Sequence, residues 1–265
     1  MNLFFKELKS YRKGLFFWCL GIIALVGSGM AKYTVLKGNG KAVVELMSQF
    51  PQSVQTALGF TGFDLTKASG YYGVLFMYIA LMVTVHAVLL GAGILSKEER
   101  DKTSEFLFVK PISRSKVLTG KILAGLFNVI ILNIVTLISS VYFIGYFANG
   151  ESFMNDILVL MSGLLFLQVI FFFIGTMVAG VSKKPKLSAT IATSVLLLTF
   201  VITFFININE SFNWLKYFTP FKYFDAKDLM LNGGFDPLYV LISLILIILM
   251  VVITYVSYNA RDLDI

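Results

Sequence analysis

Residues Tyr71–Phe147 read YYGVLFMYIALMVTVHAVLLGAGIL, then SKEERDKTSEFLFVKPISRSKVLTGK, then ILAGLFNVIILNIVTLISSVYFIGYF. Two apolar runs thus flank one charged loop. At a rise of 1.5 Å per residue each run is long enough, as a helix, to cross a hydrocarbon core of about 30 Å. Working outward, the same pattern recurs at Gly14–Ala31, Ile157–Val181, Leu187–Ile206 and Leu238–Tyr258. All 37 Lys, Arg, Asp and Glu residues fall outside these six stretches. A charge at the bilayer centre costs roughly 2.5–3.5 kcal/mol even on the lenient insertion scale, so the exclusion is what a lipid solvent demands. The sequence predicts an all-α polytopic membrane protein with six transmembrane helices.

Composition agrees. The chain is 57% hydrophobic and 14% charged with mean hydropathy +0.82, where a soluble domain carries about 25% charged residues. Six all-round apolar runs would need a far larger soluble shell to cover them. Lys6, Lys9, Arg12 and Lys13 precede the first run, as in a signal peptide. At 18 residues, however, the run exceeds an h-region of about 7–15, and Met30-Ala31-Lys32 is a poor cleavage site, so a retained span is expected. Cys19 is the only cysteine, which rules out an intrachain disulfide or a thiolate metal cluster. With no carboxylate or ammonium inside any run, the chain has little with which to couple transport to protons. Its energy source is expected elsewhere.

The cations divide by loop. Fifteen Lys and Arg lie before the first run, between the second and third, between the fourth and fifth, and after the sixth; seven lie on the other side. This bias predicts both termini in the cytoplasm, in a plasma membrane of bacterial type. The loop Ala148–Asp156, with Glu151 and Asp156 but no cation, fits the outer side. The basic pI of about 9.3 therefore reflects cytoplasmic loops rather than nucleic-acid binding.

The whole chain, 1–265, reads as one transmembrane domain. In Met1–Lys13, Leu3, Phe4, Leu8, Tyr11 and Leu15 recur at helical spacing, predicting an interfacial amphipathic helix that then turns into the membrane. Two outer loops are long. Short outer-face helices are expected in Lys32–Gly70, around Pro51, before the second span. More are expected in Asn207–Pro237, before the sixth, where Trp214, Tyr217, Phe218, Phe221, Tyr223 and Phe224 crowd around Pro220. Those aromatics suit an interfacial belt or a pair of helices dipping into the outer leaflet.

The loop Ser96–Lys121 is the most charged stretch. Thr103 or Ser104 can N-cap a short helix, Glu105 favours its positive end, and Pro111 stops it. Phe106, Leu107, Phe108 and Val109 then form an apolar cluster facing the cytosol. A helix of about two turns is not stable alone, so the cluster calls for a protein partner or for folding back under the chain's own spans. Ser113 caps the next helix. Lys97–Lys121, with Thr103, Glu105, Leu107, Pro111, Arg114 and Gly120-Lys121, resembles the coupling-helix loop of ATP-binding-cassette type-2 exporter permeases. Lys102 stands where that family often has glycine. Thr219–Asp225 (TPFKYFD) and Tyr258–Leu263 (YNARDL) resemble the family's segment before the last span and its C-terminal tail. The resemblance covers essentially the whole chain. It implies docking of a separate cytoplasmic ATPase on Glu105, Phe106, Leu107, Phe108 and Val109, with two ATPases and two permease protomers, identical or related. The chain has no G-x-x-x-x-G-K-[ST] phosphate loop or nucleotide-binding domain of its own, so ATP and Mg would be bound by the partner.

Other residues invite chemistry and are weighed against packing. Glu98-Glu99 near an intramembrane histidine is reminiscent of membrane endopeptidases. The glutamates are in the loop, however, and His86 is the only histidine, so no metal or acid–base site assembles and no enzymatic activity is expected. His86 lies mid-span and reads first as a hydrogen-bonding partner for a neighbouring helix, with a functional role as the rival. Ala87/Gly91 and Gly175/Ala179 are small-x-x-x-small pairs suited to close helix packing, and Asn128, Asn133 and Gln168 are candidates for interhelical hydrogen bonds. Thr190, Ser194, Thr199 and Thr203 make the fifth run mildly polar. They are a candidate pathway- or dimer-facing set, with simple back-bonding to the helix as the plain reading.

The residues and the resemblance together give an expectation: the permease subunit of an ATP-driven exporter, moving an amphiphilic or hydrophobic cargo such as a drug, antimicrobial peptide or lipid. Its uncharged spans would also lie against membrane lipid. The rivals are a non-transporting assembly or sensory protein using the same loop, and a secondary transporter, for which broken or charged spans and an internal repeat are missing.

Overall fold

The computed structural model describes residues 3–38, 49–57, 59, 62–100, 113–148, 150, 152–182, 184–231 and 233–260. Six long helices carry the chain: α1 (Leu3–Gly38), α3 (Ala68–Arg100), α4 (Arg114–Phe147), α5 (Met154–Val181), α6 (Pro185–Ile208) and α9 (Pro237–Ala260). Short α2 (Gln52–Ala57), a 3₁₀ helix (Glu210–Phe218), α7 (Pro220–Tyr223) and α8 (Ala226–Leu231) lie between them, and there is no strand among the described residues. All six expected spans sit inside the six long helices, each long and apolar enough to cross a membrane.

Sequence chemistry sets the ends. Ser113 N-caps α4, its Oγ accepting from the Lys116 amide at 3.4 Å, and Pro185 opens α6, where its missing N–H costs nothing. The N-terminus departs from expectation. The basic segment does not turn into the membrane as a separate helix but runs unbroken through α1. Between Lys9 and Leu15 only Gly14 weakens the helix, by about 1 kcal/mol, and no proline stops it. The apolar stripe Phe4, Leu8, Tyr11 and Leu15 packs on the bundle.

α3 and α5 form the centre, and α1, α6 and α9 the periphery. Glycine permits the central crossing. A Cβ on Gly91 would lie 2.1 Å from Phe172 O, and one on Gly175 would lie 2.4 Å from Val88 O, so the two backbones touch. The small-residue pairs therefore serve packing. Asn133 and Gln168 bridge α4 and α5, with Nδ2 to Oε1 at 2.9 Å and Nδ2 to Met161 O at 3.2 Å. Asn128 does not bridge helices; its Nδ2 turns back to Ala124 O at 2.7 Å. The outward faces are apolar: Leu123, Phe127, Ile130, Ile134 and Ile138 form one stripe of α4, and Leu241, Ile245, Ile248 and Val252 one of α9.

α1, α3 and α4 have 36, 33 and 34 residues, about 50 Å each, roughly 20 Å more than the hydrocarbon core. Their surplus at one end of the bundle carries the site described next. At the other end Phe221 packs on Phe171 at 5.0 Å and Phe224 stacks on Phe166 at 5.4 Å. These buried rings fasten α7 and its flanks onto the bundle, while Trp214 and Phe218 stay exposed.

Candidate functional site at the basic end of the bundle

The basic end gathers the start of α1, the end of α3, the start of α4 and the end of α9. At its centre is Lys121, with no exposed surface. Its Nζ donates to Ile94 O at 2.8 Å and to Glu98 Oε1 at 2.5 Å, and lies 3.5 Å from Glu7 Oε1. Three helices are thereby joined through one ammonium. Helical spacing explains the convergence: Glu7 shares the inward stripe of Leu3, Phe4, Leu8 and Tyr11, and Glu98 lies one turn beyond Ile94, whose carbonyl binds the same cation. Gly120 lets α1 approach, since a Cβ there would meet Leu3 Cδ2 at 3.3 Å.

Burying a lysine costs several kcal/mol unless partners compensate. Here a carbonyl and two carboxylates do so. The compensation is uneven: Glu7 is 4% exposed, and its Oε2 has no hydrogen-bond partner. The α1 contact is thus the weaker arm of the cluster.

Further ties surround it. Lys97 donates to Ser10 Oγ and holds its ammonium 5.4 Å above the Tyr11 ring. On the far side α9 is fastened to α4 by Thr119 Oγ1 and Tyr255 OH at 2.7 Å, Arg114 Nη1 to Asn259 O at 3.3 Å, and Asn259 Nδ2 to Ser115 Oγ at 3.0 Å.

Residues 101–112 join α3 to α4, and Glu98 and Lys121 link the two stems of that segment to each other and to α1. One cluster thus ties α1, α3 and α4 together beside the ends of that segment. Among the described residues no group of three or more His, Cys, Asp or Glu could hold a metal.

The residues singled out in the sequence fall in three places. Glu105, Phe106, Leu107, Phe108 and Val109 lie outside the described residues. Thr199 and Thr203 are buried against Thr219, whose Oγ1 reaches Thr199 O at 2.9 Å and Thr203 Oγ1 at 3.0 Å. Thr190 and Ser194 face outward. The two pairs are not brought together: nine residues at about 100° each put them half a turn out of phase. His86 is buried but makes no hydrogen bond to a neighbouring helix, and its ring rests edge-on against Trp18 at 5.3 Å.

Sequence reasoning placed Lys121 and Glu98 in a solvated loop and passed over Glu7. One signal was available, a lone acid in phase with the apolar stripe of a basic segment. Comparison with known families finds a match to a family model described as ABC-2 family transporter protein over residues 1–263. No curated protein matches the chain.

Proposed function

The chain belongs to the ABC-2 family of transporter proteins and is a membrane permease of an ABC transporter, and on that premise we propose that it is the permease of an ATP-driven exporter whose ATPase docks on the loop 96–121. The observation that carries the reading is the buried Lys121–Glu98–Glu7 cluster, which links both stems of this loop to α1. Docking would use Glu105 together with Phe106, Leu107, Phe108 and Val109, the last four an apolar cluster that a groove in a partner would cover. ATP and Mg belong to that partner, present in two copies with two permease protomers. The fifteen-to-seven excess of cations supports a cytoplasmic basic end, and with it both termini, in a plasma membrane of bacterial type.

The cargo class follows from the walls. Outward and intramembrane surfaces are apolar and hydroxylated, without carboxylate or ammonium in any span, which suits an amphiphilic or hydrophobic molecule leaving the cytoplasm. Thr190 and Ser194, on the outward face of α6, are the part of the threonine set free to meet cargo or a second protomer.

The test is co-purification with a co-expressed ABC ATPase from the same genomic neighbourhood. Phe106→Asp and Leu107→Asp are expected to abolish the complex at unchanged membrane expression, because a charge in an apolar contact is stranded there. A complex indifferent to both substitutions would place docking elsewhere. Absence of any ATPase complex would refute the exporter reading.

A further inference from the structure

A slot of about 170 Å³ opens between α1, α3 and α4 on the side of the bundle facing the bilayer. Tyr11, Gly14 and Trp18 line it from one face of α1, His86 and Leu89 from α3, and Asn128 from α4. It lies deeper in the bundle than the Lys121 cluster and shares no residue with it. None of its lining residues is charged.

Three observations bear on what the slot holds. First, its size: an apolar cavity of about 150 Å³ is enough for a benzene ring, and a Cβ added at Gly14 would find no protein atom within 4 Å. Second, its polar groups are unspent. His86 Nδ1 is buried without a hydrogen-bond partner, and Asn128 spends its amide nitrogen on Ala124 O of its own helix. Groups of this kind cost free energy at membrane depth unless something satisfies them. Third, its rim: Leu89 is 38% exposed on the bilayer side, so a molecule dissolved in lipid reaches the slot without crossing the protein.

We propose that this slot is a binding site for a neutral, ring-sized amphiphile bearing a hydroxyl, a phenol in chemical class. The ring packs against Trp18 and Tyr11, and the hydroxyl exchanges hydrogen bonds with His86 and Asn128. An imidazole offers one donor and one acceptor when neutral, and a carboxamide oxygen accepts, which together match a group that both donates and accepts. The lining residues carry no charge of their own, so an ion entering the slot meets the desolvation cost that keeps charges out of spans. The site requires neither ATP nor a partner, so its failure would leave the permease reading untouched.

Trp18 supplies the readout. The chain has two tryptophans, and Trp214→Phe, at an exposed position, leaves Trp18 as the sole reporter. The protein in lipid nanodiscs is titrated with 4-bromophenol, whose bromine quenches indole fluorescence on contact, and with bromobenzene, which has the ring but no hydroxyl. Saturable quenching by bromophenol is expected, with bromobenzene binding about tenfold more weakly for want of its hydrogen bonds. Gly14→Leu, which fills the slot, should abolish saturation, and Gly14→Ala should weaken it. His86→Phe should reduce the difference between the two probes. Linear quenching alike in all variants means partition into lipid and overturns the proposal. Saturation that survives Gly14→Leu places the ligand elsewhere, and equal binding of the two probes leaves water, not a hydroxylated ligand, as what satisfies His86. If His86→Phe does not fold, the two probes on the unsubstituted slot still decide.

Discussion

Lys121 shows how far a single side chain can depart from what its neighbours in sequence suggest. Next to Thr119 and Gly120 at the mouth of a span it reads as a solvated, positive-inside lysine, yet it has no exposed surface and serves three helices. Which carboxylates would reach it depends on how α1 lies on α4, and no local pattern encodes that. Glu7 was more legible, since its phase with Leu3, Phe4, Leu8 and Tyr11 is a property of one helix. The cluster makes a signed prediction. Lys121→Met should destabilise the protein by about 3–5 kcal/mol, because a buried carboxylate, Glu7, and a part-buried one, Glu98, lose their shared cation. Replacing Glu7 and Glu98 by leucine in the same chain should recover most of that loss, since apolar substitutes for a whole buried ion cluster are often neutral or stabilising. Thermal unfolding in detergent measures both. A Lys121→Met protein as stable as its parent would mean the cluster is not formed in the membrane.

Among the helices, what periodicity and composition could define was legible and what packing decides was not. The six spans, the Ser113 cap and the close-packing role of Gly91 and Gly175 were all readable. The continuity of α1 was missed because amphipathic spacing and basic residues describe an interfacial helix and the cytoplasmic end of a long span equally well. The threonines of α6 were grouped by composition, but a nine-residue offset splits them between opposite faces. The crossing of α3 and α5 is the strictest element-level constraint. Gly175→Leu should abolish stable expression, since its Cβ would fall 2.4 Å from the backbone carbonyl of Val88 and 2.7 Å from the amide of Ala92. Neither neighbour is a flexible side-chain end. Gly120→Ala, whose Cβ would meet a leucine side chain at 3.3 Å, should be tolerated. Membrane yield and monodisperse elution separate the two, and equal tolerance would show that α3 and α5 are further apart than described.

At the scale of the molecule, an even number of spans brings α1, the α3–α4 and α5–α6 connections and the end of α9 to one face of the bundle. The aromatic segment 210–231 closes the other. In a Cys19→Ser background, a cysteine at Gly150 should be labelled by an impermeant maleimide on intact cells, and one at Ser182 only after permeabilisation. The reverse pattern would invert the orientation that the cation bias assigns. The central claim is that the loop on the basic face receives the ATPase, and a photo-crosslinking amino acid placed at Phe106, with Trp214 as the opposite-face control, tests it most directly. Crosslinking to the co-expressed ATPase from position 106 and not from 214 is the predicted result. Crosslinking from 214, or from neither position in a complex that otherwise purifies intact, would contradict it.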